Sequence, residues 1–172
     1  MNIYLIRHTE VQIAKGTCYG QSDVLLKNIK DTDIVLKKCS SLKFDSLYSS
    51  PLSRCKILAQ KISLKKGIPI QYDKRLLELN FGDWEMQSWN KISTDSYAQE
   101  WFKNYINLAC PKGESYLEMI TRVQDFISEL KNRTEKQIGI ITHAGVIKCF
   151  YHLINKKTAQ EALNISIHYG EI

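Results

Sequence analysis

The sequence predicts an α/β fold, a three-layer α/β/α sandwich with a mostly parallel central sheet. Three observations carry that reading. Short apolar, β-rich runs recur along the chain and stop abruptly at polar residues, as buried parallel strands do at their loops. Stretches with apolar residues at helical spacing lie between them, and strands alternating with helices imply a sheet covered on both faces. The chain has 172 residues, 44% hydrophobic and 24% charged. That is ordinary globular composition and enough for one core, so one domain over 1–172 is expected. No apolar run approaches the ~20 residues of a membrane span.

Each element follows in order. Residues 2–6 (Asn-Ile-Tyr-Leu-Ile) form a first strand, closed by Arg7-His8-Thr9-Glu10. The run lacks a basic leader and is too short for a signal peptide. Residues 11–25, with Gly16 and Gly20, read as a loop. Ile34, Val35 and Leu42 among lysines predict a helix over 28–42. Residues 44–48 make a second strand, and Pro51 suits the first turn of the helix after it. That helix carries Leu52, Cys55, Leu58, Ala59 and Ile62 at helical spacing. Residues 69–72 form a third strand. Within 78–95, Gly82-Asp83 is a turn, with Asp83 placed to cap a short helix holding Trp84 and Trp89. Residues 96–108 are helical. Ser115-Tyr-Leu-Glu118 fits a capping box, and Tyr116, Met119, Ile120, Val123, Phe126, Ile127 and Leu130 make the clearest helical stripe. Residues 138–142 are a buried strand ending at His143, 145–155 a helix, and the alternating residues 164–169 a final strand.

Charge narrows the function less than it promises. The net charge is +6 from 24 basic and 18 acidic residues. Nineteen of the basic residues are scattered lysines; the five arginines are Arg7, Arg54, Arg75, Arg122 and Arg133. With no block of five like charges, lysine reads as a solvated surface and mild steering of anions. Five cysteines, with no C-x-x-C, suit free thiols in a reducing cytoplasm. Cys55 and Cys149 lie in helical stretches and read as core thiols, while His152 and His168 read as structural or exposed. No Walker motif, H-E-x-x-H or acidic metal cluster is present. No metal, cofactor, nucleic acid or membrane partner is expected.

The chemistry lies at strand ends. Two strands end in histidine, His8 and His143, and ligands of such sheets sit outside the carboxyl ends of the strands. A third strand leads to Ser53-Arg54, and Glu78 precedes a glycine loop. Phosphoryl transfer asks for this combination. Guanidinium groups grip phosphate oxygens bidentately. An imidazole attacks phosphorus if an acceptor holds its other N–H and fixes the tautomer. A carboxyl group protonates the leaving alkoxide.

Five segments in order resemble the histidine phosphatase superfamily, which includes the cofactor-dependent phosphoglycerate mutases. They are Leu5-Ile6-Arg7-His8-Thr9-Glu10, Ser49-Ser50-Pro51-Leu52-Ser53-Arg54, Leu77-Glu78 with Phe81-Gly82-Asp83-Trp84-Glu85, Pro111-Lys112-Gly113-Glu114-Ser115, and Thr142-His143-Ala144-Gly145. The resemblance implies a phosphoglycerate mutase-like fold. It implies His8 as the nucleophile that becomes phosphohistidine, Arg7, Arg54 and His143 as a phosphoryl clamp, and Glu78 as the acid and base, with Glu85 the rival. Thr9, Tyr19, Gly20 and Gln21 are the expected substrate contacts. Thr9, Val11 and Ile13 depart from the mutase pattern R-H-G-x-S-x-W-N, and Met86 stands where the family often has glycine. Gly16–Val24 resembles instead the C-Y-G-x-x-D stretch of α-ribazole phosphatases, which take the 5′-phosphate from α-ribazole phosphate in cobalamin nucleotide-loop assembly. A broad sugar-phosphate phosphatase, a mutase-like phosphotransferase and a non-catalytic basic module remain as alternatives.

Overall fold

The computed structural model describes residues 1–172. Four parallel strands form one sheet in the order β1-β4-β2-β3: β1 (Asn2–Arg7), β2 (Ser46–Ser49), β3 (Ile70–Tyr72) and β4 (Gln137–Thr142). The register pairs Arg7 with Thr142 and Ser49 with Ile141, so three strands finish at one level. Seven helices surround them: α1 (Asp31–Lys38), α2 (Ser53–Lys66), α3 (Trp89–Ile92), α4 (Ser96–Asn104), α5 (Tyr116–Lys131), α6 (Ala144–Asn155) and α7 (Ala159–Leu163). No helix is long and apolar enough to cross a membrane.

Strand alternation divides the core between two faces. Ile6, Leu47 and Ile141 turn toward α1 and α2, joining Val35, Leu58 and Ile62. Tyr48, Ile138 and Ile140 turn the other way, onto the stripe of α5 and onto Val146 and Phe150 of α6. The start of α5 behaves as the sequence predicts: Ser115 accepts from the Glu118 N–H at 3.2 Å, and the Glu118 carboxylate accepts from the Ser115 N–H at 2.7 Å.

Several expectations are corrected. α1 spans 31–38 rather than 28–42, because Asn28–Lys30 form a turn in which Asn28 donates to Asp31. β2 begins at Ser46 rather than residue 44. The Asp45 carboxylate instead accepts the N–H groups of Lys136 and Gln137, tying the starts of β2 and β4 together. Pro51 stands two residues ahead of α2, whose first N–H, that of Ser53, is accepted by Asp23 from the 16–24 loop at 2.9 Å. Asp83 caps nothing: it lies inside a 3-10 turn (Gly82–Trp84), and Ser88 caps α3. α4 stops at Asn104, short of residue 108.

Residues 164–169 are not a strand. The segment makes no ladder with β1; the Arg7 side chain reaches its Ile167 carbonyl, and just beyond it the Gly170 N–H donates to the His8 carbonyl and the Arg7 N–H to the Glu171 carbonyl. Gly170, at φ +66, turns the chain there. Met86 adopts φ +63, the left-handed region in which a side chain costs roughly 1–2 kcal/mol. Its N–H is held there by the Cys18 carbonyl at 2.8 Å.

Candidate active site

The parallel pairing of β1 with β4 brings the two strand-end histidines together. The His8 N–H still belongs to the ladder, donating to the Thr142 carbonyl at 3.1 Å. The rings of His8 and His143 sit edge to face with centroids 5.1 Å apart, and both are buried.

His8 Nδ1 lies 2.8 Å from the Thr9 carbonyl oxygen. A carbonyl only accepts, so the proton is on Nδ1 and Nε2 keeps its lone pair. Burial first, then the Arg54 charge, push the His8 pKa down to about 3. The imidazole is therefore neutral, which is the form that can attack phosphorus.

His143 has the opposite tautomer. Its Nδ1 accepts from Arg54 Nε at 3.3 Å, so Nε2 carries the proton and donates to Ser50 Oγ at 2.8 Å. Burial, then the neighbouring His8 and Arg54, drive its pKa well down. Both ring nitrogens are engaged within the protein, and since only Nε2 carries a proton, an incoming phosphoryl oxygen is received by His143 in place of Ser50.

Arg54 is fully buried in the first turn of α2. Besides its bond to His143, it donates from Nη1 to the Ser22 carbonyl at 2.8 Å and from Nη2 to the Gly20 carbonyl at 2.5 Å. Guanidinium has five N–H groups, so one on each terminal nitrogen stays free for an anion. Arg7 donates to the Ile167 carbonyl, and its guanidinium carbon lies over the Tyr169 ring, 3.9 Å from the centroid. Its buried Nε has no partner.

The two candidate acids are separated by their hydrogen bonds. Glu85 accepts from the N–H groups of Gln21 (2.7 Å), Ser22 (2.5 Å) and Phe81 (3.3 Å), and from the Ser22 hydroxyl. It is a strut that folds the 20–22 loop. Glu78 accepts only two main-chain N–H groups, from Leu79 at 3.1 Å and from Gly145 at 3.2 Å, and it faces the same cavity as His8, Arg7 and Arg54.

The other four expected contacts have differing surroundings. Tyr19 lines the cavity, and its hydroxyl is 2.6 Å from that of Tyr169. Gly20 accepts from Arg54, and any Cβ there would lie 1.8 Å from the Leu79 carbonyl oxygen. The Gln21 side chain turns to the Glu78 carbonyl at 3.0 Å rather than into the cavity. Thr9 is buried and acts through its carbonyl on His8.

The cavity has a volume of about 570 Å³. One wall is the charged cluster; the other is aromatic, with Phe81, Trp89, Trp101, Phe102 and Tyr105. Trp101 joins this wall together, its ring centroid lying 5.3–6.3 Å from those of Phe81, Trp89, Phe102 and Tyr105. Sequence reasoning missed Ser50, Gly145 and Tyr169. The first two lie inside quoted motifs, while Tyr169 left no local signal. The arrangement can hold a tetrahedral oxyanion between two guanidinium groups, with a neutral imidazole and a carboxyl group beside it.

The model of the Histidine phosphatase superfamily (branch 1) matches residues 3–172. The Adenosylcobalamin/alpha-ribazole phosphatase of Salmonella typhimurium is 29% identical over 155 residues, 86% of this chain and 76% of that protein. Phosphoserine phosphatase 1 of Hydrogenobacter thermophilus is 20% identical over 202 residues, 99% and 95%. The crystal structure of the Alpha-ribazole Phosphatase from Shigella flexneri superposes with a TM-score of 0.91 at 23% identity, covering 99% of this chain and 87% of that one, a likeness of fold.

Proposed function

The chain belongs to the histidine phosphatase superfamily, branch 1, as a phosphoric monoester hydrolase among phosphatases, and on that premise we propose that it hydrolyses α-ribazole 5′-phosphate through a phosphohistidine on His8. One observation carries the substrate: the aromatic wall of the cavity that opens on His8. A nucleoside with a planar base stacks on such a wall, at roughly 0.5–1.5 kcal/mol per aromatic pair beyond the area buried. The small, charged carbon skeletons of phosphoserine or phosphoglycerate would leave that wall uncovered. Lys148 is the one lysine lining the cavity, and its ammonium already donates to the Leu163 carbonyl at 2.7 Å. The name of the Salmonella relative supports the same reading.

The reaction follows from the side chains. Arg7 and the two free N–H groups of Arg54 hold the non-bridging oxygens and their growing charge. His8 Nε2 attacks phosphorus in line, while Thr9 retains the Nδ1 proton. The P–O bond to C5′ oxygen breaks, and Glu78 gives that oxygen its proton. Glu78, now a carboxylate, takes a proton from water, which attacks phosphorus and breaks the P–N bond. Inorganic phosphate leaves, and His8 returns to its neutral form.

A screen of phosphate esters tests this. We expect α-ribazole 5′-phosphate to give a higher kcat/KM than phosphoserine, 3-phosphoglycerate and glucose 6-phosphate. A clear preference for phosphoserine would overturn the substrate assignment. Turnover undiminished in His8→Ala would overturn the mechanism, and net phosphoryl transfer between phosphoglycerates would favour the mutase alternative.

A further inference from the structure

We propose that the Arg122–Glu114 ion pair positions the Glu78 carboxyl for proton transfer. The inference rests on the reading of Glu78 as the proton donor.

Glu78 lies in a segment without regular structure, between two 3-10 turns (Lys74–Leu76 and Gly82–Trp84). Nothing in its own segment sets the height of its backbone above the sheet. Arg122 and Glu114 do so from outside, beside single bonds from Gln21 to the Glu78 carbonyl at 3.0 Å and from Thr142 to the Leu76 carbonyl at 2.8 Å. Arg122 Nη1 donates to the Arg75 carbonyl at 2.6 Å, and Nη2 to the carbonyl of Glu78 itself at 3.1 Å. The same guanidinium grips Glu114 through Nη2 at 2.7 Å and Nε at 3.0 Å. Glu114 then holds the far side of the segment. Its carboxylate accepts the Asn80 N–H at 2.9 Å, and its own N–H donates to the Asn80 carbonyl at 2.9 Å. The chain is thus fixed two residues after Glu78, three before it, and at Glu78.

The support is rigid. Arg122 projects from α5, which has seven buried residues and a complete capping box, and both partners are largely shielded, with side chains 19% and 16% exposed. A planar fork is needed because one group must meet two carbonyls and a carboxylate together; an ammonium is a single point. His8 is held by the Thr142 and Thr9 carbonyls and makes no bond to this clamp, so a shift of the Glu78 backbone changes the distance to the leaving oxygen and leaves the nucleophile in place.

The test uses the dependence on leaving group. p-Nitrophenolate departs without a proton, whereas an alkyl alkoxide requires one. kcat/KM includes only the steps through alcohol release, so it is blind to the later role of Glu78 with water. In Arg122→Lys and Glu114→Gln we expect kcat/KM for β-glycerophosphate to fall ~10–100-fold, the scale of a ~1 Å misplacement. For p-nitrophenyl phosphate it should change less than about threefold. Glu78→Gln, measured alongside, should discriminate the two esters in the same way. If Glu78→Gln discriminates and both clamp variants lower the two esters equally, or lower neither, the clamp is only structural and the proposal is overturned. If Glu78→Gln itself does not discriminate, the reading of Glu78 fails first. Loss of folded protein lowers both esters together, so it cannot imitate the expected pattern.

Discussion

Gly145→Ala should separate activity from stability. Gly145 is the second residue of α6, and its N–H donates to one oxygen of Glu78. A Cβ at this position would lie 2.2 Å from Glu78 Oε1 and 3.1 Å from Met119 Cε, where ordinary contact begins at 3.4 Å. Relief therefore moves the carboxyl back by about 1 Å. That motion costs the fold little, because the clashing atom ends a rotatable side chain. Alanine in place of glycine favours the helix by up to about 1 kcal/mol, so the midpoint of unfolding should hold or rise slightly. The chemistry has no such freedom. A ~1 Å misplacement costs on the order of 10²-fold, which is about 2.7 kcal/mol in the barrier. The assay is kcat/KM on an alkyl phosphate beside a thermal melt of the same preparation. A stable variant with undiminished kcat/KM would refute the placement of Glu78 at the leaving oxygen. A variant that unfolds would show that the carboxyl cannot move aside.

Three further outcomes are expected. The His8 pKa lies at about 3 against an ordinary 6.5, so the unfolded chain binds more protons between those values. The stability contributed by its neutral burial is complete above pH 6.5 and is lost as pH falls toward 3, at about 1.4 kcal/mol per unit. Urea denaturation at pH 7 and pH 4.5 should show the loss, and His8→Gln should reduce it, leaving the part that comes from the buried His143; an equal loss in the variant would refute the burial argument. Glu85→Gln should leave one of its amide donors unsatisfied, costing about 1–3 kcal/mol of stability, and should weaken phosphate binding through the 20–22 loop that holds Arg54. Selective loss on alkyl rather than aryl esters would instead make Glu85 the proton donor. Tyr169→Ala removes the ring beneath Arg7, worth about 0.5–1 kcal/mol, so KM should rise several-fold, while Tyr169→Phe keeps the stack and should stay near wild type. Equal effects of the two would place the role in the hydroxyl pair with Tyr19.

The fold and the convergence of the two strand-end histidines are legible because they rest on local signals. Arg7-His8 and Thr142-His143 each follow a buried apolar run, and parallel neighbours in register must end together. The preference for Glu78 over Glu85 began as a matter of placement and became one of hydrogen-bond count. What escaped the sequence depends on distant partners. Residues 164–169 alternate like a strand, yet they find no ladder with β1, and only Gly170 and Glu171 beyond them bond to the end of that strand. The helix Ala159–Leu163 went unread although Thr158 and Glu161 spell its capping box. Glu114 stood in a quoted motif and Arg122 on the clearest helix, but their convergence on one carbonyl is a property of packing. The aromatic wall was likewise scattered over residues 81–105, and only folding makes it a surface.

The phosphorylated histidine is the most direct object of measurement. The enzyme is mixed with radiolabelled phosphate ester, quenched within milliseconds in alkali, where phosphohistidine persists, and mapped by peptide. The expected result is one acid-labile phosphoryl group on His8, attached at Nε2 and absent from His8→Ala. Label on another residue, or steady turnover with no phosphoenzyme and inversion of configuration at phosphorus, would contradict a nucleophilic His8.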